Sequence, residues 1–248
     1  MRSILLFFAL LFAVTAFAEV PAQIETTFAN RLFEFGLFED ALFEFERIDT
    51  RGVNYIDYYI VKCNVSMGNI KEAIKQLDVI INNTSDYELL TRSALDCAAL
   101  EIIIGTPYDA MSCIEKANDR GADIDEDVVR KIGFIFENEW EEIGVDPPRR
   151  RSPEIAGVLS TILPGSGQIY AGEPWLGIRS AAVNAGFWSI AVSGLSQGHY
   201  TRAITVFYEF GARYWLGGAD RAAQVAEDRN AEEYLRACEL AAEKIEWH

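Results

Sequence analysis

The chain has 248 residues, of which 50% are hydrophobic and 24% charged, and its formal net charge is −16. This composition excludes a disordered or low-complexity chain, because half of the residues can be buried in a core. The negative charge argues against a nucleic-acid partner, since binding to phosphates needs clustered Lys and Arg.

The first eighteen residues have the three-part pattern of a secretory signal peptide. Arg2 precedes an apolar run from Ile4 to Val14, and the segment ends in the small-x-small sequence Ala16-Phe17-Ala18. The run is shorter than the roughly 20 residues that span a membrane, although an uncleaved N-terminal anchor is the alternative. We therefore expect export from the cytoplasm, cleavage after Ala18, and a mature chain that begins at Glu19.

The charge divides the remaining chain into two parts. Residues 19–148 contain 27 acidic and 11 basic residues, whereas residues 149–248 contain 11 acidic and 10 basic residues. The change in composition falls at three prolines and a basic triplet, namely Pro147, Pro148, Pro153 and Arg149–Arg151. Because prolines end helices, we predict one domain over 19–145 and a linker over 146–153.

The acidic part contains a repeated helix-turn-helix pattern. A glycine recurs at spacings of 32 and 37 residues, an alanine follows it by five positions, and an apolar residue follows the alanine by four. The framework residues of this pattern are Ala29, Gly36, Ala41, Gly68, Ala73, Ala98, Gly105 and Ala110. The small residue and the apolar row predict two closely packed helices on either side of each glycine turn.

This pattern resembles the tetratricopeptide repeat over about residues 22–120. The segment closest to the family sequence is Gly68-Asn69-Ile70-Lys71-Glu72-Ala73-Ile74. Two departures are that Val61 stands where a small residue is usual and that no proline closes a repeat. The resemblance implies an all-α solenoid whose surface binds a protein partner; an ordinary helical bundle is the alternative. We predict a capping helix over 126–143, with Val129, Ile132, Phe136 and Trp140 on its buried face.

The second part, residues 154–219, is unusually apolar. Two stretches contain no charged residue, Ile155–Gly172 and Ser180–Thr201, and a third apolar segment covers Ala203–Tyr208. Their lengths approach that of a membrane-spanning helix, so we predict a membrane-embedded helical hairpin; a soluble helical domain with a rich core is the alternative. Small residues at Ala181 and Ala185, and at Ala182 and Gly186, are spaced for close helix packing.

Polar residues within these segments are predicted to face each other rather than lipid. Asn184 and Gln168 are expected to hydrogen-bond, and Glu209 is expected to pair with Arg213 one helical turn away. We predict that residues 220–248 form a charged, amphipathic C-terminal helix.

The most distinctive segment is Leu163-Pro164-Gly165-Ser166-Gly167-Gln168-Ile169-Tyr170-Ala171-Gly172. It is similar to small bacterial membrane domains that carry the pattern Pro-Gly-x-Gly-Gln-x-Tyr-x-Gly. The matching residues are Pro164, Gly165, Gly167, Gln168, Tyr170 and Gly172. The resemblance covers about residues 152–220 and implies a membrane location in a bacterial envelope.

The sequence predicts no catalytic residue, cofactor or metal site, because no Ser-His-Asp or Cys-His set is visible and His199 is the only internal histidine. Cys97 and Cys113 lie on paired helices and could form a disulfide after export, but we favour buried free thiols. The predicted function is a non-enzymatic envelope scaffold for protein–protein interaction, held at a membrane. The alternative is a membrane component of a transport or assembly system, in which Gln168, Asn184, Glu209 and Arg213 line a polar path.

Overall fold

Helices account for every regular element that the structure, a computed structural model, describes; it covers residues 28–48 and 55–247. No strand occurs within these ranges, and consecutive helices pack on one another. The predicted all-α fold is therefore confirmed. The predicted signal peptide, residues 1–18, lies outside the described residues.

The chain divides into two compact units, which we treat separately. Unit 1 comprises residues 1–147 together with Cys238–His248, and unit 2 comprises Pro148–Ala237.

Unit 1 is built from pairs of antiparallel helices joined by short turns. Its helices are α1 (Phe28–Glu34), α2 (Phe38–Glu46), α3 (Tyr55–Ser66), α4 (Ile70–Asn83), α5 (Tyr87–Ile103), α6 (Pro107–Asp119) and α7 (Glu126–Glu137).

The glycines of the repeated pattern end helices. Gly36, Gly68 and Gly105 have φ angles of +75°, +80° and +85°, a region that residues with a Cβ rarely adopt. After each glycine the next amide reaches back five residues, as in the 2.9 Å hydrogen bond from Leu37 N to Leu32 O. These contacts satisfy carbonyl groups at the end of the helix and turn the chain into the next helix.

The alanines of the pattern lie in the core of unit 1. Ala41, Ala73 and Ala110 are completely buried, and so is Ala98 on α5. The apolar residues four positions after the first three are also buried: Phe45, Leu77 and Ile114. Burial of these rows is the main favourable contribution to the stability of the unit.

The predicted helix over 126–143 is shorter in the structure, and its buried face is different. Helix α7 ends at Glu137 because Asn138 adopts a left-handed conformation with φ +62°, and a separate 3₁₀ helix covers Trp140–Ile143. The buried side chains of α7 are Val128, Ile132 and Ile135, whereas Phe136 is exposed. The predicted face was therefore wrong except at Ile132 and Trp140.

Unit 2 begins with two short helices rather than one long apolar helix. Helix α8 (Pro153–Ile162) is followed by α9 (Ser166–Tyr170), and α10 (Pro174–Ser196) is the longest helix that lies wholly within the unit. Pro164 and Gly165 interrupt Ile155–Gly172 because proline lacks an amide donor and Gly165 has φ +96°.

The chain returns along α10 in a second arm of three consecutive helical segments. These are α11 (Tyr200–Thr205), a π-helix (Val206–Ala212) and α12 (Arg213–Lys244). Trp188 of α10 packs against Phe207 and Trp215 of this arm, at 4.8 and 6.1 Å between ring centroids. We call α10 and this arm, up to Gly218, the hairpin. Among the residues that the structure describes, no helix combines the length and the apolar composition needed to cross a membrane.

Candidate functional site

The segment from Pro164 to Gly172 forms the tightly packed base of unit 2. A Cβ atom at Gly167 would collide with the carbonyl oxygen of Ala156 on α8 and lie 2.6 Å from Ser160 Oγ. A Cβ atom at Gly165 would collide with the carbonyl oxygen of Gly177 on α10. These glycines therefore allow α8, α9 and α10 to approach at backbone distance.

Gln168 connects three parts of this base. Its side chain is fully buried, its Nε2 donates to the carbonyl oxygen of Gly218 at 2.9 Å, and its Oε1 accepts from Ser160 Oγ at 2.8 Å. The amide of Gly167 donates in turn to Ser160 Oγ at 3.1 Å. Because buried amides must be hydrogen-bonded, this network specifies how α8, α9 and α12 fit together.

The remaining motif residues hold the turns around Gln168. Gly172 has φ +95°, and the guanidinium of Arg151 lies about where its side chain would point, 3.4 Å from a Cβ built there. Tyr170 Oη accepts a hydrogen bond from the amide of Ser152 at 3.3 Å. Ser166 Oγ lies 2.7 Å from the carbonyl oxygens of Leu159 and Leu163, so its one proton can be donated to either.

The structure does not bring the predicted polar residues of the hairpin into one path. Asn184 is buried, but its Nδ2 donates to the carbonyl oxygen of Ser180 on its own helix at 2.9 Å, not to Gln168. Glu209 and Arg213 are exposed, and within the described residues they do not form the predicted ion pair. Within the described residues, no hydrogen bond or ion pair joins any two of Gln168, Asn184, Glu209 and Arg213.

The predicted small-residue faces of α10 do not make the close helix contacts. Ala181, Ala182, Ala185 and Gly186 are all exposed, and a Cβ at Gly186 would meet nothing within 4 Å. A Cβ built at Gly194 would lie 3.1 Å from Ala203 Cβ, and one built at Gly165 would lie 3.2 Å from Ala181 N, so the close approaches use glycines that the spacing rule did not select.

A large apolar surface remains exposed on unit 2. Trp175 is 76% exposed, and apolar side chains are exposed along α8, α10 and the second arm. The others include Ile155, Val158, Ile162, Leu163, Ile169, Ile178, Ile190, Val192, Leu195, Tyr200, Ile204, Tyr208, Phe210 and Leu216. Soluble monomers rarely expose large apolar patches, so this number of exposed apolar side chains in one unit is unusual.

Unit 1 exposes fewer apolar side chains, and its framework residues are structural. The predicted framework alanines lie in the core, so they position helices and do not face a partner. Exposed aromatic residues include Phe35, Phe43, Tyr87 and Tyr108, and Tyr108 is 71% exposed. Exposed aromatic side chains of this kind are enriched where proteins bind one another.

A cluster of ionisable groups that the sequence pattern did not indicate lies between α3 and α5. Tyr58 Oη donates to the carboxylate of Asp96 and accepts from Arg92 Nε at 2.9 Å, while Lys62 Nζ lies 5.2 Å from the ring centroids of Tyr58 and Tyr59. The signal was Asp96 itself, the one charged residue in the buried run Ala94–Leu100 of α5.

Burial dominates the protonation of this cluster. It raises the pKa of Asp96 and the pKa of Tyr58 above their ordinary values, and it lowers the pKa of Lys62 to about 8. The charge of Arg92 lowers the pKa of Lys62 further, and Asp96 acts in the opposite direction.

A disulfide joins Cys97 of α5 to Cys113 of α6, with the two Cα atoms 6.2 Å apart. The preference for free thiols at these two positions was therefore wrong. Cys63 and Cys238 are free and buried. A crosslink of this kind is expected in an oxidising compartment.

No family model, curated protein or solved structure matches this chain.

Proposed function

We propose that this chain is a non-enzymatic protein of a bacterial cell envelope, in which unit 1 binds a protein partner and unit 2 is inserted in a membrane. Unit 1 would be a tetratricopeptide-like solenoid on the periplasmic side. The apolar helices of unit 2 would form the membrane-embedded hairpin.

The observation that carries this proposal is the exposed apolar surface of unit 2. In water, such a surface would be costly and prone to aggregation, whereas lipid chains cover it without loss. The base of the unit is consistent with such a setting, because the amide of Gln168 is satisfied within the protein, as a non-aqueous environment requires.

Two features of unit 1 support the role of a scaffold. The helix pairs with equivalent glycine turns and buried alanines match the tetratricopeptide pattern, and solenoids of this kind present extended surfaces to partners. The excess of acidic residues over 19–148 favours a partner with a basic surface.

Export is supported by two independent features. Residues 1–18 have the composition of a signal peptide, and the Cys97–Cys113 disulfide is a bond that the reducing cytoplasm disfavours.

Membrane insertion is tested by fractionating cells that express the full chain. We expect alkaline carbonate to leave the protein in the membrane pellet and detergent to release it. Val192→Glu, which places a charge on the exposed hairpin surface, should shift the protein toward the soluble fraction, because a charged side chain in a bilayer costs about 2–4 kcal/mol. Val79→Glu, at an exposed valine of unit 1, is the matched control and should have no effect.

Release of the unaltered protein by carbonate alone would contradict the membrane role. Equal behaviour of the two valine variants would show that the apolar surface of unit 2 is not what holds the protein at the membrane.

Partner binding is tested by placing a photo-crosslinking amino acid at Tyr108 in the intact protein. Crosslinks to another protein are expected from this exposed aromatic position and not from Asp119, an exposed acidic position on the same helix. The absence of any crosslink from Tyr108 and from the other exposed aromatic positions of unit 1 would contradict the scaffold role.

A further inference from the structure

Two opposite charges stand close together within the apolar surface of the hairpin. Glu209 lies in the π-helix and Arg213 begins α12, and both side chains are exposed. Neither forms an ion pair with any residue that the structure describes.

The surroundings of these charges are apolar. The exposed large apolar side chains before, between and after them in the second arm are Ile204, Tyr208, Phe210 and Leu216. Two aromatic rings of the π-helix contact α10: Phe207 packs against Trp188, and Phe210 stacks on Phe187 with 6.4 Å between ring centroids. If the hairpin is inserted in a membrane, Glu209 and Arg213 face lipid in a single copy, where unpaired charges are unfavourable and normally find a partner.

We propose that this face binds a second copy of the chain, so that Glu209 of each copy pairs with Arg213 of the other. The proposal rests on the membrane insertion proposed above, because in water both charges would simply be hydrated. The exposed Leu216, one turn after Arg213, would pack beside the two ion pairs and help to exclude lipid and water from them.

The arrangement of charges favours a second copy over a different protein. A two-fold axis brings the same patch of two subunits together, so that residue i of one meets residue j of the other and the reverse. A patch with one negative and one positive residue is therefore complementary to itself, and one interface neutralises all four charges. Another protein would have to carry both charges in the matching order.

The test uses two differently tagged copies of the full chain, co-expressed and purified in mild detergent. Unaltered copies are expected to co-purify. Glu209→Arg or Arg213→Glu, present in both copies, should reduce co-purification about tenfold or more, because each places like charges opposite one another. Asp220→Arg reverses an exposed charge elsewhere on α12 and should leave co-purification unchanged.

Mixed pairs make the test specific for reciprocal contact. A copy with Glu209→Arg should co-purify with a copy carrying Arg213→Glu, although neither associates with itself. The double variant Glu209→Arg/Arg213→Glu should recover self-association. Association of the mixed pair also shows that both single variants are folded, since a misfolded hairpin would not be rescued by its partner.

The outcomes separate this proposal from the membrane role. If the protein resists carbonate extraction but unaltered copies do not co-purify, or if the mixed pair fails to associate, the second-copy interface is wrong and the membrane role stands. Co-purification with a different membrane protein that depends on Glu209 and Arg213 in place of self-association would also overturn it. Carbonate extraction of the unaltered protein would refute the membrane role itself.

Discussion

Gly167 is the residue at which one additional methyl group should disturb unit 2 most. Gly167→Ala places a Cβ against the carbonyl oxygen of Ala156 and beside Ser160 Oγ, which itself bonds Gln168. Overpacking at such a rigid contact costs about 1–3 kcal/mol, so thermal unfolding of the full chain in detergent, followed by circular dichroism, should shift to lower temperature.

Gly186→Ala provides the control, because Gly186 is helical and a Cβ there meets nothing within 4 Å. Replacing glycine by alanine in a helix usually stabilises it by ~0.5–1 kcal/mol, so this variant should unfold at the same temperature or slightly above. Equal destabilisation by both substitutions would contradict the packing described for the base.

Lys62 should make the stability of unit 1 depend on pH in the alkaline range. Its pKa is about 8 when folded and ordinarily 10.5, so between these values the unfolded chain binds more protons than the folded protein. The free energy of unfolding contributed by Lys62 therefore rises as the pH rises from about 8 to 10.5. Below about pH 8 the group is charged in both states, and the folded protein bears the full cost of burying that charge.

The measurement compares the free energy of unfolding of the unaltered protein and of Lys62→Gln between pH 7 and pH 10. The difference should change by about 1–3 kcal/mol in favour of the unaltered protein as the pH rises. Lys75→Gln removes an exposed lysine of α4 and should show no such trend. A flat difference for Lys62→Gln would mean that its ammonium group is not buried.

At the scale of helices, the disulfide between α5 and α6 should stabilise unit 1. It closes a loop with a sequence separation of 16 residues, for which restriction of the unfolded chain predicts about 3 kcal/mol. The double variant Cys97→Ala/Cys113→Ala should unfold at lower urea concentration than the unaltered full chain. Reductant should lower the midpoint of the unaltered protein and leave that of the variant unchanged; any response of the variant to reductant would exclude this disulfide as the cause.

Turns were the elements easiest to predict from the sequence, because a glycine often marks a position with a positive φ angle. Gly36, Gly68 and Gly105 indicated helix ends, and all three have positive φ. The end of α7 was missed because an asparagine, Asn138, takes the left-handed conformation there, and periodicity cannot reveal this. The π-helix was missed for a similar reason, since its residues look like any apolar helical segment.

The candidate site was harder to predict from the sequence, because its contacts join residues far apart in the chain. The sequence singled out Gln168, but its partner, the carbonyl of Gly218, lies 50 residues away and is a backbone atom without a side-chain signal. The small residues of α10 were assigned to packing by their spacing, yet spacing does not tell which side of a helix meets a neighbour. Gly194 and Gly211 make that contact instead.

For the whole molecule, the fate of the first residues decides whether the exported chain carries an N-terminal anchor. The small residues at Ala16 and Ala18 predict cleavage by signal peptidase, so N-terminal sequencing of the protein from its native envelope should begin at Glu19. A chain that still begins at Met1 would favour an N-terminal anchor and would place a second apolar element in the membrane.

The π-helix has a consequence for how this protein tolerates insertions and deletions. Its wide turns hold more residues than the same length of α-helix, so Val206–Ala212 is equivalent to an α-helix that has gained a residue. Loss of one residue here would convert the π-helix into an α-helix and leave the later positions of α12 at nearly the same rotation, because seven residues in wide turns and six in α-helical turns cover nearly the same angle. The carbonyl of Gly218 would still face Gln168. A single-residue deletion within Val206–Ala212 should therefore be tolerated far better than one in the regular α-helix α10, where every later position would rotate by about 100°.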